Sequence, residues 1–427
     1  MTRSLIVLLG EVRAGMLRCD VRSSRFEYDD EYLARPDSTP ISLSMPLRPG
    51  TFPPDIVDPF LWGLLPDSSD TLQRWALLAS PPADEHNPFT LLEHYGRDCA
   101  GAIQFIRPEE FDSAGESGPT QWLTDSDIGH QLRALRRDPN AWTFDDTGGR
   151  FSLAGAQAKF ALLHDGDRWG RPQGATPTTH IVKPGIPEFR SSALNEHICL
   201  NLASAVGLPS ARSSIREFDG EAAIVVERYD RIAGEKSIAR IHQEDFCQAL
   251  GVMPSQKYQD DGGPGLSRMA GAMRASQRSD QATRSITRVL LATAFNWLIG
   301  GTDAHAKNYS VLLRRGQVSL APLYDIASIT PYPRYDPLRV RLAQSVDGHY
   351  RMGEIGPREW QAQAIRLGLD PEYVTEEIRR LTDLVADRID LVCSDEAAAA
   401  IDSEFLRELR RSLAERVERL RGRGSRG

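Results

Sequence analysis

The chain has 427 residues, 41% of them hydrophobic and 26% charged, with a formal net charge of −8. That length suggests two or three domains of roughly 150 residues each, and the composition is ordinary for a soluble globular protein. The negative balance argues against nucleic-acid binding by the whole surface, though not by a local basic patch.

In chain order, Leu5-Ile6-Val7-Leu8-Leu9 is strand-length and is followed at once by Gly10-Glu11, so no signal peptide is expected. Residues 1–106 read as a β-rich subdomain. Short apolar runs alternate with turn clusters such as Arg35-Pro36-Asp37, a helical patch spans Phe60 to Leu77, and Gly101-Ala102-Ile103-Gln104-Phe105 closes as a strand. Residues 107–123 carry Pro108, Gly115, Gly118 and Pro119 and read as a linker. Thr124 or Asp125 can cap a helix running through Leu135.

Residues 124–231 alternate strand-like and helix-like patterns, as a small ATP-binding lobe would. Residues 232–420 are almost all helical in pattern, apart from one hairpin. Leu406, Leu409, Leu413, Val417 and Leu420 form a single helical stripe, and residues 421–427 are expected to be a disordered basic tail. The five cysteines are widely spaced with no Cys-x-x-Cys, which suits a reducing cytosol and offers no zinc site. The longest apolar run, around Val289 to Ile299, falls short of the roughly 20 residues a membrane span needs.

The most informative segment is Gly300-Gly301-Thr302-Asp303-Ala304-His305-Ala306-Lys307-Asn308. Ile286, Val289, Leu290, Ala294, Trp297 and Leu298 before it recur at helical intervals, so one face of that helix should be buried. Gly300-Gly301 can end the helix, because glycine accepts the left-handed conformation past a helix end. Asp303 would then stand at the lip of a rigid element. Val311-Leu312-Leu313 and Val318-Ser319-Leu320 flank Arg314-Arg315-Gly316-Gln317 and read as a hairpin, which returns Asp325 beside Asn308. An Asp, an Asn five residues later and a second Asp beyond a hairpin are the acidic set of a protein-kinase-type phosphotransferase. In that reading Asp303 takes a hydroxyl proton, Asn308 and Asp325 hold magnesium, and Lys307 neutralises the transferring group. The alternative is a polar helix–hairpin loop with no chemistry.

A Walker-type Gly-x-x-x-x-Gly-Lys-Ser/Thr is absent. Ala154-Gly155-Ala156-Gln157 is the candidate phosphate loop, since small side chains let backbone N–H groups approach phosphates; a plain tight turn is the alternative. Lys183 ends the strand-like Ile181-Val182 and can reach the α/β-phosphates, with Glu196 as a helix-borne ion partner. The histidines are isolated and are not read as a metal cluster. His305 is placed with the nucleotide-binding set, bracing the loop by hydrogen bonding.

Taken with these motifs, the chain resembles the HipA family of bacterial serine/threonine kinases, the toxins of HipA–HipB toxin–antitoxin modules. Gly301 to Ser310 and Leu320 to Ser328 carry the resemblance, with Phe151 to Lys159, Thr179 to Pro184, Asn195-Glu196-His197, Val225 to Arg231, Gln243 to Gly251 and Trp62 to Asp67 in the same order. The resemblance implies an α+β, bilobal protein-kinase-like fold with an extra β-rich N-terminal subdomain and a mostly α-helical C-terminal lobe. It implies ATP and Mg2+ as cofactors, with adenine bound by the backbone of Glu227 and Tyr229, and Asp230 near the ribose. It implies autophosphorylation at Ser152, with Arg150 among the cations that would hold the expelled loop. The implied partners are a HipB-like helix–turn–helix antitoxin, DNA through that antitoxin, and a protein substrate such as an aminoacyl-tRNA synthetase. The location implied is cytoplasmic, with no membrane. A catalytically silent co-repressor and a small-molecule kinase on the same scaffold remain as alternatives.

Overall fold

Strand Glu221–Glu227 joins the layers of the molecule. Its run Ala222-Ala223-Ile224-Val225-Val226 has no polar residue, and successive side chains of a strand point to opposite faces. Ala223 and Val225 enter one apolar core, and Ile224 and Val226 enter another. The computed structural model describes residues 2–142, 151–234, 237–336 and 338–424, and Arg150 lies outside them. This strand is second in a six-stranded antiparallel sheet, ordered Ser213–Phe218, Glu221–Glu227, His180–Pro184, Phe160–Asp165, Arg168–Gly174, Ser117–Leu123.

The first core belongs to the amino-terminal residues. A five-stranded sheet, ordered Thr51–Phe52, Ser23–Tyr28, Val12–Asp20, Arg3–Leu9, Ile103–Ile106, packs with helices Pro54–Gly63, Ser69–Leu78 and Pro88–Tyr95. Ile128, Leu132 and Leu135 of helix Asp125–Arg137 and Phe160, Leu162 and Val182 of the six-stranded sheet lie in that same core. The β-rich region is therefore continuous with the small lobe, a subdomain that shares its core. Thr124 caps helix Asp125–Arg137 in a reciprocal box with Asp127, which fixes its start.

The expected linker at 107–123 is also corrected. Ser117–Leu123 is an edge strand paired with Arg168–Gly174. Its alternation is mostly exposed, and an edge position tolerates Pro119 because no second neighbour requires its missing N–H.

The second core holds helix Ser192–Ala205 and the carboxy-terminal helices. Helix Ser279–Ile299 runs through it, and all six of its periodic residues are buried. It stops at Gly300, whose φ of 77° is the left-handed conformation that glycine accepts without a Cβ clash. The hairpin Ser310–Arg314/Gln317–Leu320 turns on Arg315 and Gly316, both at positive φ, the geometry that matches strand twist. Its third strand is His242–Asp245, in a stretch expected to be helical. Pairing with Ser310–Arg314 supplies the ladder that a four-residue segment cannot form alone. The terminal stripe is buried in helix Glu396–Gly424, which is interrupted at Asp402. The expected tail is corrected over residues 421–424, where the helix continues and Arg421 pairs with Glu418 (2.8 Å) and Asp383 (3.0 Å); residues 425–427 lie outside the described residues. Among the described residues, no helix is long and apolar enough to cross a membrane.

The amino-terminal subdomain is tied to the helical lobe through Glu244, which is 1% exposed. Ser42 Oγ donates to its Oε2 (2.6 Å) and the Leu43 N–H to its Oε1 (2.7 Å). Burial pushes this carboxyl up from 4.5 to about 8 against those two hydrogen bonds. The folded state thus keeps a proton that the unfolded chain releases. Its stabilisation is fully present below the unfolded value and is lost as pH rises through about 8. Thermal unfolding of the parent and of Glu244→Gln, compared between about pH 5 and about pH 8.5, should show the parent losing more stability as pH rises. Parallel curves would mean that Glu244 does not titrate in this window.

Candidate active site

A cleft of about 770 Å³ opens between the six-stranded sheet and the helical lobe. It is within the size range of small-ligand sites. Ala154, Gly155, Ala156, Gln157, Lys183, Glu227, Tyr229, Asp230, Asp303, His305, Lys307, Asn308 and Asp325 all line it. Of the residues singled out from the sequence, Ser152 stands apart, behind the loop.

Lys183 is fixed by its strand, which pairs Lys183 with Ile224 on the neighbouring strand. Its ammonium, 5% exposed, meets Glu196 at 2.8 Å and also pairs with Asp325. Burial alone would lower this ammonium; Asp325 and Glu196 outweigh it and hold it well above its ordinary value. The Asp325 carboxyl, which burial would raise, is held well below the usual range by Lys183 and Lys159. Asp325 has a φ of 53°, a left-handed conformation seldom taken by non-glycine residues and common at functional sites. The helix carrying Glu196 also holds the segment after Asp325. Asn195 donates to the Ser328 carbonyl (2.7 Å) and accepts from its N–H (2.9 Å).

Asn308 donates through Nδ2 to the Asp303 carbonyl (2.7 Å). Its Oδ1 accepts no hydrogen bond among the described residues and is left as an oxygen donor, and Asn308 and Asp325 line the same cleft. Tyr324 OH donates to the Lys307 carbonyl (2.6 Å), tying the return of the hairpin to the loop. Asp303 is exposed, and Tyr258 OH donates to its Oδ1 (2.6 Å). Burial and the neighbouring Asp303 carboxylate push the Tyr258 phenol up, so it stays a donor. His305 packs edge-on against Tyr258 (4.9 Å). Burial lowers its imidazole from 6.5 to about 4, which keeps it neutral, and its buried Nδ1 has no partner among the described residues.

The glycine loop is built around Lys159, which the sequence reading passed over. Its Nζ donates to the Ala154 carbonyl (2.6 Å) and lies over the Trp142 ring (5.3 Å). Gly155 has a φ of 103°, and a Cβ there would stand 2.8 Å from that Nζ. Burial lowers the Lys159 amine from 10.5 to about 8. Ser152 is fully buried, with its hydroxyl donating to the Leu64 carbonyl (2.6 Å).

In the segment 228–231 that leaves strand Glu221–Glu227, called the hinge below, the Tyr229 N–H donates to no group among the described residues, and its phenol bonds Gln243. Asp230 borders the cleft but is engaged on both oxygens. Arg228 reaches Oδ1 (3.0 Å) and Oδ2 (2.9 Å), and the Gly101 N–H donates to Oδ2 (2.6 Å). From the cleft wall, Asp230 therefore also braces residues 228–231. Asp98 completes that brace, binding Arg231 (2.8 Å), Arg228 (3.3 Å) and the Thr178 hydroxyl (2.6 Å). Burial would raise the Asp98 carboxyl, but Arg228, Arg231 and Arg240 hold it far below its ordinary range.

The amino-terminal subdomain also reaches the loop of residues 303–308. Asp67 pairs with Lys257 (2.8 Å) and with Lys307. Asp67, Lys257 and Tyr258 were not identified from the sequence. Asp67 stands in a motif quoted only for resemblance, and no local pattern marks a pair 240 residues apart.

Two lobes, a lysine–glutamate pair and an Asp/Asn/Asp set around one cleft define a chain of the bilobal, kinase-like class. The family model of the HipA N-terminal domain matches residues 5–106, and that of the HipA-like C-terminal domain matches residues 151–389. The chain belongs to the HipA family. It is 34% identical to "Putative kinase Y4mE" of Sinorhizobium fredii, over 93% of each chain. It is 28% identical to the serine/threonine-protein kinase toxin HipA of Shewanella oneidensis, over 99% of this chain and 96% of that one. The solved structure of the Shewanella HipA, HipB and operator DNA complex superposes with a TM-score of 0.82 at 26% identity, covering 99% of this chain and 98% of that one.

Breaking a buried ion pair by removing one partner strands a charge, at about 3–5 kcal/mol. Asp98→Ala should therefore lower unfolding free energy by about that amount in a denaturant titration. A change within about 0.5 kcal/mol, typical of surface substitutions, would show that the cluster does not hold the hinge.

Proposed function

We propose that the chain is an ATP- and magnesium-dependent protein serine/threonine kinase and the toxin of a toxin–antitoxin pair. The observation that carries this reading is the convergence of Lys183, Glu196, Asp303, Asn308 and Asp325 on one cleft. The residues fit the cofactors. Asn308 Oδ1 and the Asp325 carboxylate are hard oxygen donors of the kind that magnesium takes while keeping several waters. The loop Ala154 to Gln157 and Lys183 would hold the phosphates, and the unengaged Tyr229 N–H, with the backbone of Glu227, would hold adenine. When bound, the metal neutralises charge on the transferring phosphoryl group.

The chain's own residues do the rest. Tyr258 fixes one oxygen of Asp303, leaving the other to accept the proton of an attacking hydroxyl. Lys307 lies inside the Asp303–Asn308 span as a cation for developing charge. His305, neutral and buried, braces the loop by packing edge-on against Tyr258.

Ser152 is proposed as a site of autophosphorylation. Its niche has no exposure, so a phosphate carrying about −1.5 to −2 charges would not fit there, and the modified loop would leave the site. A HipB-like antitoxin, and DNA through it, are proposed as partners on the strength of the Shewanella complex. An aminoacyl-tRNA synthetase is proposed as substrate from family resemblance. A cytoplasmic location is proposed because all five cysteines are free and buried.

The test is transfer of label from γ-labelled ATP into lysate protein, with mass spectrometry of the chain itself. Asp303→Asn should lower transfer by about 10²–10⁴-fold while ATP binding persists. Phosphate should appear on Ser152 of the parent and not of the variant. Transfer at the parent rate by Asp303→Asn would refute the assignment.

A further inference from the structure

Leu64 to Asp67, directly after helix Pro54–Gly63, touches three parts of the cleft. The Leu64 carbonyl accepts the Ser152 hydroxyl (2.6 Å). Pro66 bridges Gly155 in parallel register, and the Asp67 N–H donates to the Gly155 carbonyl (3.1 Å). The Asp67 carboxylate divides its oxygens between two lysines, Oδ2 to Lys257 at 2.8 Å and Oδ1 to Lys307. All three side chains are largely withdrawn from water, at 13% exposure for Asp67, 16% for Lys257 and 4% for Lys307.

These partners flank Asp303. Lys307 is four residues beyond it, and Lys257 adjoins Tyr258, whose hydroxyl holds the Asp303 carboxylate. One carboxylate bridging two ammonium groups holds both cations near the place where a phosphoryl group would carry negative charge. Without it, two close cations in a poorly solvated site would repel each other, and the Lys307 side chain would lose its fixed position. Through its backbone, the same residue supports the glycine loop.

We propose that Asp67 is a positioning residue of the catalytic centre, supplied by the amino-terminal subdomain, which sets Lys307 and couples its placement to the docked glycine loop. This rests on the phosphotransferase reading of the cleft. The amino-terminal subdomain is then a built-in part of the active site. Expulsion of the loop removes Gly155 from Asp67 and Ser152 from Leu64, so the state of the loop is felt at Lys307 through one four-residue segment.

The test uses the full chain, with initial rates of label transfer from γ-labelled ATP into lysate protein over a range of ATP concentrations. Asp67→Asn should lower the maximal rate by about 10- to 100-fold, the cost of misplacing a catalytic group by an ångström or so. The KM for ATP should stay within about three-fold. Hydrogen exchange over residues 151–157 should match the parent, because the Asp67 N–H remains. Should Asp67→Asn not fold, Asp67→Glu keeps the charge but displaces it by one methylene. A lower maximal rate at unchanged KM is then expected. A folded variant with the parent's maximal rate overturns the proposal while Asp303→Asn still reports on the phosphotransferase reading. Parallel loss of ATP binding, loop protection and thermal stability would also overturn it, by making Asp67 a structural bridge. Full activity of Asp303→Asn would bring down both.

Discussion

The buried ammonium of Lys183, shared between Glu196 and Asp325, is the interaction on which the cleft depends. Three elements far apart in sequence meet there: a strand of the six-stranded sheet, a helix of the second core, and the turn after the hairpin. A lone charge at this depth would be strongly disfavoured, so each partner is required by the others. Asn195, one residue before Glu196, holds Ser328, three residues after Asp325. The helix therefore sets the spacing between lysine and acid from both sides. A buried charge triad adds little to stability by itself, but it fixes where the carboxylates stand.

The amino-terminal subdomain changes the usual division of labour in a two-lobed fold. It shares a core with the small lobe, and it supplies Leu64, Asp67 and Asp98 to the glycine loop, the loop of residues 303–308 and the hinge. Glu244 adds a polar tie to the helical lobe. Each tie is a charged or backbone group buried with a partner, the form that polar groups take when they must leave water. These ties hold the lobes, the loop and the hinge in one arrangement.

What could be read from the sequence was what local chemistry encodes. The helix before Gly300, the hairpin after Asn308 and the cap at Thr124 each rest on residues within a few positions of one another. The hairpin also made it legible that Asp303, Asn308 and Asp325 would come together, and the three line one cleft. Strand Ser117–Leu123 was not, because an exposed edge strand with Gly118 and Pro119 has the composition of a linker. Strand His242–Asp245 was hidden because its partner lies some 70 residues away. Asp67, Lys257 and Tyr258 gave no signal, since an ion pair across the molecule leaves no periodicity. Asp230 was placed near the ribose from resemblance, and the two arginines that also engage it became visible only in three dimensions.

The central claim is that Asp325 serves a metal-dependent nucleotide site and not only the ion triad. Calorimetric titration of the parent and of Asp325→Ala with ATP, in magnesium and in EDTA, tests it most directly. The account predicts that the variant binds at least about ten-fold more weakly in magnesium. In EDTA its affinity should match or exceed the parent's, because Lys183 is then free to meet the phosphates. Equal loss in both conditions would make Asp325 a structural partner of Lys183 and contradict the account.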